Sequence, residues 1–587
     1  MTDSDETTGE MSDGLQVELF HPDSDREPGD TNKELMGGWF DIHPIVFPVA
    51  LIIITLFVAV TVLMGNQASS AYERLFNTVN DTFGWFYILA VNIFIVTIVY
   101  FAVGKYGNIR IGGVEAEKEF SDFAWMAMLF SAGMGIGLMF YSVTEPMGYF
   151  QSPPAFFGDV PQESGTAGTV ALAQTFFHWG FSPWAIYGLV GLGLAFFSFN
   201  RGLPLTFRSV FWPLLGERIY GWPGHIIDLV TVFATLFGLA TSLGLGVAQV
   251  NTGLAYVAGD AVLGIATLPT GVGPQIFLIA VITAIATASV AAGLEGGVKR
   301  LSTLNLYLMF ALLGFLLLVG PRLFVMGGMV EAVGSYTNNF LGLSLFTGTL
   351  ADGGSTIGTT IFYWGWWIAW SPFVGMFIAR ISKGRTVREF VLGVLFLPSL
   401  FSFLWLSTFG GSALYLQLHG AGGVISAMDG PNGGTIAMFA MLNQFPLGAV
   451  SGILATLLVV TFFVTSSDSG SLVIDHLTSG GKHDVPRAQR IFWAIIEGTV
   501  AALLLYGGGL GALQTAAVTT GLPFAAVLLL MCYTVYLGLD NEYQILESEA
   551  FREQIQEISD RDDMVVTSSG GDMVTNVTEG GDTASND

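Results

Sequence analysis

Runs of about twenty apolar residues, the length that crosses the hydrocarbon core of a bilayer, recur along this chain and restrict its fold more than any other feature. They begin near Ile45, Phe83, Phe123, Val170, Ile227, Gln275, Leu301, Ile357, Val387, Leu447, Ile491 and Leu510, giving twelve candidate spans in 587 residues. With 52% hydrophobic and 11% charged residues, the expected class is an all-α integral membrane protein, its core built in lipid. The basic residues test that count independently, because cytoplasmic loops retain Lys and Arg. From an inside start, the internal connections carry Lys105, Arg110 and Lys118, then Arg201, Arg208 and Arg218, then Lys299 and Arg300. The later ones carry Arg380, Lys383, Arg385 and Arg388, then Lys482, Arg487 and Arg490, and only Arg74 and Arg322 fall outside. The alternation predicts a multi-pass cell-membrane protein with both termini in the cytoplasm.

The net charge of −25 sits mostly at the ends, where residues 1–42 hold 12 acids against two bases and residues 540–587 hold 13 against two. Both stretches are polar and lack apolar periodicity. The expected organisation is an acidic disordered tail over 1–42, a twelve-span domain over 43–539 and a mostly disordered acidic tail over 540–587. Nucleic acid is excluded as a partner by this charge. With six lysines in all, the surface also matches proteins of halophilic prokaryotes, although a solvated tail gives the same signal. No basic segment precedes an apolar one at the N-terminus, so the first span is expected to direct insertion. The single cysteine, Cys532, excludes an internal disulfide, a thiolate metal cluster and a redox pair.

Three patches interrupt the apolar runs, and backbone departs from helix at membrane depth only where it is buried in protein or lines a cavity. In the third span Gly133, Gly135 and Gly137 stand at every second position. They read either as close packing, since Gly133 and Gly137 are four apart, or as an unwound segment whose N–H and C=O groups face a ligand. In the tenth span Thr465, Ser466, Ser467 and Ser469 flank Asp468. Such hydroxyls commonly bond back to their own helix, but here they surround an intramembrane carboxylate, and hard oxygen donors suit a cation such as sodium. The third patch is aromatic: TFFHWGFSPWAIY from Thr175 and IFYWGWWIAWSPFVGM from Ile361. Trp179, Trp184 and Tyr187 fall within one broad sector of a helix that Pro183 is expected to bend, and Trp367 and Trp370 share a face. Tryptophans also form interfacial belts, a reading that fits Trp39 and Trp85. The two clusters lie deeper and look like a cage for a quaternary ammonium, which has no N–H to donate and is attracted by the negative faces of rings.

Together, GMGIGLMFYSVTEP (Gly133–Pro146), HWGFSPWAIY (His178–Tyr187), FYWGWWIAWSPFVGMFIARISKGRTVREF (Phe362–Phe390) and FFVTSSDSGS (Phe462–Ser471) resemble the signature segments of the betaine/choline/carnitine transporters. The resemblance spans roughly Ile45 to Leu539. It implies twelve spans in which the third to seventh and eighth to twelfth form two inverted five-helix repeats behind two peripheral helices, and a homotrimer. It places a trimethylammonium substrate between spans four and eight, against Trp179, Trp184, Tyr187 and Trp367, with Trp370 and Phe373 beside the cage or the cytoplasmic path. Gly133, Gly135 and Gly137 would face that substrate from span three.

For the coupling ion, the resemblance implies a sodium site of Ser131, Met134 and Phe462 through backbone and Thr465 and Ser466 through hydroxyls. Sodium-independent members carry a cationic side chain from span five, and no Lys or Arg lies between Arg218 and Lys299. A second sodium position would draw on Thr235 and Phe373, but Leu239 stands where a threonine is expected. Choline-carrying, proton-coupled members place an aspartate where Gly137 stands, so a zwitterion such as glycine betaine fits better. Dimethylsulfoniopropionate, ectoine and proline remain alternatives, as does proton-coupled choline transport. The acidic C-terminal tail does not match the basic, lipid-reading helix of osmosensing members. Glu145, Asp352, Asp468 and Glu497 are scattered rather than convergent, so no enzyme and no cofactor beyond a coupling ion is expected.

Overall fold

The computed structural model describes residues 28–133, 135–259, 262–292, 299–350, 354–482 and 484–559. Apart from a two-stranded hairpin, β1 (Lys33–Leu35) and β2 (Phe40–Ile42), it is helical throughout. Peptide groups in lipid have no water to bond, and helices close their own hydrogen bonds. The principal helices are α1 (Val46–Met64), α2 (Ala68–Val103), α3 (Asp122–Gly133), α4 (Ile136–Gln151), α5 (Gly165–Trp179), α6 (Phe181–Phe199), α7 (Trp222–Ala258) and α8 (Val272–Ala292). They are followed by α9 (Lys299–Val319), α10 (Arg322–Leu345), α11 (Gly354–Arg380), α12 (Val387–His419), α13 (Gly448–Thr478) and α14 (Arg487–Ser559).

Ten helical stretches in the described residues are long and apolar enough to cross a membrane, against the twelve expected. Two local features account for the difference. The third expected span is divided into α3 and α4, each too short to qualify, and the eleventh and twelfth are joined in α14, whose 73 residues are interrupted by a non-helical Gly509 at φ 67°. At 1.5 Å per residue α14 would measure about 110 Å, several times the roughly 30 Å of hydrocarbon.

Burial sorts the helices. In the apolar window of α5–α6, 94% of residues are buried, and in α11 89%, against 33% for α1 and 28% for α9. The innermost helices are thus the ones carrying the two tryptophan clusters, and α6 packs along α11. Outer helices expose Ile52, Leu56, Val60 and Leu63 of α1 and Phe277, Val281 and Ile285 of α8, an apolar exterior that suits lipid and would aggregate in water.

Three stretches depart from the sequence reading. Residues 322–345 were expected to be a connection; they form α10, which buries only a narrow stripe of Val325, Ala332, Tyr336 and Leu343. The first tail is folded at its inner end: Asp41 Oδ2 pairs with Lys482 Nζ at 2.5 Å, and the Asp41 and His43 N–H groups donate to Gln489 Oε1 and the Thr478 carbonyl, both at 2.8 Å. At the other end α14 continues helical to Ser559, its Asp540 and Glu542 paired with Lys105 (2.8 Å) and Arg201 (2.5 Å). These pairs, with Lys118–Glu389 at 3.0 Å and Arg110 Nη1 donating to the Gly384 carbonyl at 2.9 Å, bring bases from loops far apart in sequence onto one polar face.

Candidate substrate-binding site

Two helix breaks shape the centre of the molecule. The first lies at Gly180, between α5 and α6, and not at Pro183 as expected. Pro183 is the third residue of α6, in the first turn, where N–H groups have no intrahelical acceptor and proline costs no bond. Glycine is required at the break because a Cβ at Gly180 would lie 2.6 Å from the Phe176 carbonyl oxygen and 2.9 Å from the Phe403 ring. The exposed start of α6 is partnered from α10, where the Tyr336 hydroxyl accepts from the Phe181 N–H at 3.3 Å. The angular argument that placed Trp179, Trp184 and Tyr187 on one helix face therefore fails, yet their rings still converge across the break.

The second break is the glycine run. Gly133 ends α3, Gly135 is extended (φ −161°, ψ −172°) and α4 starts at Ile136. Met134 and the side chain of Ser131 lie outside the described residues. Unwinding and close packing, posed as alternatives, occur together: a Cβ on Gly135 would sit 3.3 Å from Trp370, and one on Gly137 would sit 2.5 Å from Trp366 and 3.0 Å from Trp179.

Against this backbone the rings gather. Trp179 and Trp367 meet edge to face with centroids 4.8 Å apart, and Tyr187 stands 6.3 Å from Trp367 and 6.4 Å from Trp370. Trp184 is linked to the group through Tyr187 at 5.4 Å, and Trp366 backs Trp367 in a parallel stack at 4.7 Å. All five expected cage rings are buried, none exceeding 6% exposure, whereas Trp39 and Trp85 are more than half exposed. The interfacial-belt reading thus fits the latter pair and not the cluster.

A polar network unseen in the sequence holds these rings. Glu145 of α4 is buried, with Oε2 accepting from Trp179 Nε1 at 2.8 Å and from the Tyr363 hydroxyl at 2.5 Å. Its Oε1 lies 2.5 Å from His178 Nδ1, and His178 Nε2 is within 2.9 Å of Thr360 Oγ1 and 3.2 Å of Gln174 Nε2. Trp367 Nε1 donates to the His178 carbonyl at 2.9 Å. Glu145 had been read as one of several scattered acids. The available signal was an ionisable residue within a span, which by default marks function.

Beside the cage lies a cavity of about 90 Å³ lined by Trp370, Phe373, Phe462, Thr465 and Ser466, the last three being expected sodium-site residues. Ser469, from the expected hydroxyl run, and Ser302 and Asn305 of α9, which were not anticipated, complete its polar wall. Asn305 Nδ2 donates to Thr465 Oγ1 at 3.0 Å, while its Oδ1 is buried without a partner. Hydroxyl and amide oxygens are hard donors of the kind sodium accepts, so these residues fit that ion.

The expected pairing of Thr235 with Phe373 is not found: Phe373 lines this cavity, but Thr235 does not, and its hydroxyl donates to the Thr231 carbonyl on its own helix at 2.7 Å. Leu239 instead fills the space over Gly470. The hydroxyl run is also divided between two faces of α13. Ser467 and Asp468 look away from the cavity, Asp468 accepting from Ser289 at 2.6 Å and Ser467 lying 3.4 Å from Glu497.

Residues 45–544 match the profile of the betaine/carnitine/choline family transporters. The chain belongs to this family. It is 44% identical over 535 residues to a glycine betaine/proline/choline transporter of Vibrio parahaemolyticus, covering 89% of this chain and 94% of that protein. It is 45% identical to glycine betaine transporter 1 of the same organism, over 90% and 99% of the two chains. A probable glycine betaine transporter of Desulfitobacterium hafniense is 42% identical over 83% and 96%. As a betaine/carnitine/choline family transporter, the protein is a multi-pass membrane carrier of a betaine-type small molecule and not an enzyme.

Proposed function

We propose that this transporter takes up glycine betaine by sodium-coupled alternating access, its cargo held by Trp179, Trp184, Tyr187, Trp367 and Trp370. The observation that carries the reading is the meeting of buried Trp179 and Trp367 at 4.8 Å across α5 and α11. A buried site built from rings of two helices is what alternating access around a fixed binding site needs. The extended backbone at Gly135 offers N–H groups to the substrate carboxylate. Relatives are named for glycine betaine, and some also for proline, choline and ectoine, so the cage is expected to accept more than one methylated or cyclic ammonium.

Sodium enters this proposal through the neighbouring cavity, where Phe462, Thr465, Ser466 and the unpartnered Asn305 Oδ1 supply oxygen donors. Ser131 and Met134 complete the proposed set from the glycine run. No Lys or Arg lies in α7, which leaves no fixed cation to replace the ion. A second sodium at Thr235 and Phe373 finds less support, because Thr235 does not line the cavity that Phe373 does. Twelve crossings, counting α3–α4 and α5–α6 once each, α14 twice and leaving out α10, would place both termini and the shared polar face in the cytoplasm, with two inverted repeats and a homotrimer as the proposed assembly.

Each charge driven inward gains about 2.3 kcal/mol per 100 mV. At about 100 mV one sodium ion per zwitterion would support roughly fortyfold accumulation and two roughly a thousandfold, before any sodium gradient is added, a scale suited to osmoprotection. Uptake of radiolabelled glycine betaine into proteoliposomes is expected to require an inward sodium gradient and to tolerate a collapsed proton gradient. Uptake indifferent to sodium would overturn the coupling, and uptake driven by protons with choline preferred would favour the alternative carrier.

A further inference from the structure

We propose that Glu145 is the counter-charge of the aromatic cage, acting through Trp179 and Tyr363, and that it makes the pocket select a positively charged nitrogen over a neutral group of the same shape. This rests on the cage reading above and adds a specificity-determining residue to it. The glycine run carries no acid at Gly137, so the sequence offered no anion to meet a cationic cargo. The structure supplies one two turns further along α4.

Glu145 is nearly sealed from solvent, with its side chain 3% exposed. Trp179, Tyr363 and His178 converge on its two oxygens at 2.8, 2.5 and 2.5 Å, and the indole N–H and the phenol O–H both donate to Oε2, using it as an acceptor. Among the described residues no Lys or Arg pairs with it, and the imidazole of His178 is the one nitrogen base in contact with it. The remaining ionisable groups around it are the phenols of Tyr141 and Tyr149 on its own helix and Tyr363 on α11. On α12, which also packs here, the charged and histidine groups sit at the helix ends, Glu389 with Lys118 and His419 against Phe324.

Two effects follow. A charge held one indole away from the pocket is felt strongly where the dielectric is low. A carboxylate accepting the indole N–H also polarises the ring, pushing electron density toward its face, where a cation binds. The ammonium end of a zwitterion is then drawn to Trp179, while its carboxylate is turned away from Glu145 toward the extended backbone at Gly135.

The test compares glycine betaine with tert-butylacetate, which replaces the charged nitrogen by carbon and changes little else, as competitors of radiolabelled betaine uptake by the reconstituted full chain. Wild type is expected to favour betaine by at least about tenfold. In Glu145→Gln, betaine weakens about tenfold or more while tert-butylacetate shifts less than about twofold, so the preference collapses. His178→Asn, which keeps an N–H toward Glu145, retains it. Equal loss of both ligands in Glu145→Gln would make the residue a clamp only and overturn the proposal, as would an unchanged preference. Wild type binding the two equally would overturn it without any variant. Should Trp367→Ala leave betaine affinity intact, the cage reading itself fails, an outcome separate from any result at Glu145.

Discussion

At Gly137 the functional argument reduces to a few tenths of a nanometre. A methyl group there would meet Trp366 at 2.5 Å and Trp179 at 3.0 Å, whereas one at Gly148 on the same helix meets nothing. Gly137→Ala is therefore expected to lower uptake at least about tenfold by displacing the cage, with Gly148→Ala indistinguishable from wild type; equal behaviour of the two in a transport assay would contradict the placement of the rings. His43 makes a different residue-scale prediction. Burial first, then the Arg208 guanidinium, then His225, hold its pKa at about 3, well below the ordinary 6.5, and its Nδ1 accepts from the Ile45 and Val46 N–H groups at 3.3 and 3.2 Å. A depressed histidine pKa means that the unfolded chain takes up a proton that the folded chain refuses. Its contribution is complete above about pH 6.5 and is lost as pH falls toward 3. Thermal unfolding in detergent should drop by a few degrees between about pH 7 and pH 5, and His43→Asn should flatten that slope.

Among the helices, legibility followed hydropathy. Long apolar runs predicted α1, α7, α8, α9, α12 and α13 with starts within a few residues, whereas α2 starts at Ala68, well before the expected Phe83, because its first turns are polar. Hydropathy missed α10 because Glu331, Ser335, Asn338 and Asn339 dilute its apolar signal and its buried stripe is narrow. The breaks were legible in part. Alternating glycines marked the one near Gly135, but proline drew attention to Pro183 when the requirement for no side chain lies at Gly180. Gly180→Ala should accordingly cost several degrees of thermal stability and most of the transport, while Pro183→Ala changes both little; the reverse order would restore the proline-bend reading. The expected cage residues were visible because tryptophan is rare and clustered. The Glu145 network was not, since its partners lie 33, 34 and 218 positions away and no local pattern connects them.

Across the whole molecule, the most buried helices carry the aromatic clusters and the most exposed ones meet lipid, so the centre rather than the rim holds the chemistry. Asn305 links those regions. It reaches from α9, one of the outer helices, to Thr465 at 3.0 Å in the inner cavity. Asn305→Ala should raise the sodium concentration for half-maximal uptake by about fivefold or more, with a smaller effect on maximal rate. A sodium titration of uptake that superimposes on wild type would remove Asn305 from the ion site. The central claim is that buried rings of α5, α6 and α11 enclose a quaternary ammonium. Calorimetric titration of glycine betaine into purified wild type, Trp367→Ala and Trp85→Ala tests it most directly. The account predicts at least about tenfold weaker binding in Trp367→Ala and none of that loss in Trp85→Ala, whose ring is exposed; equal affinity in all three would contradict it.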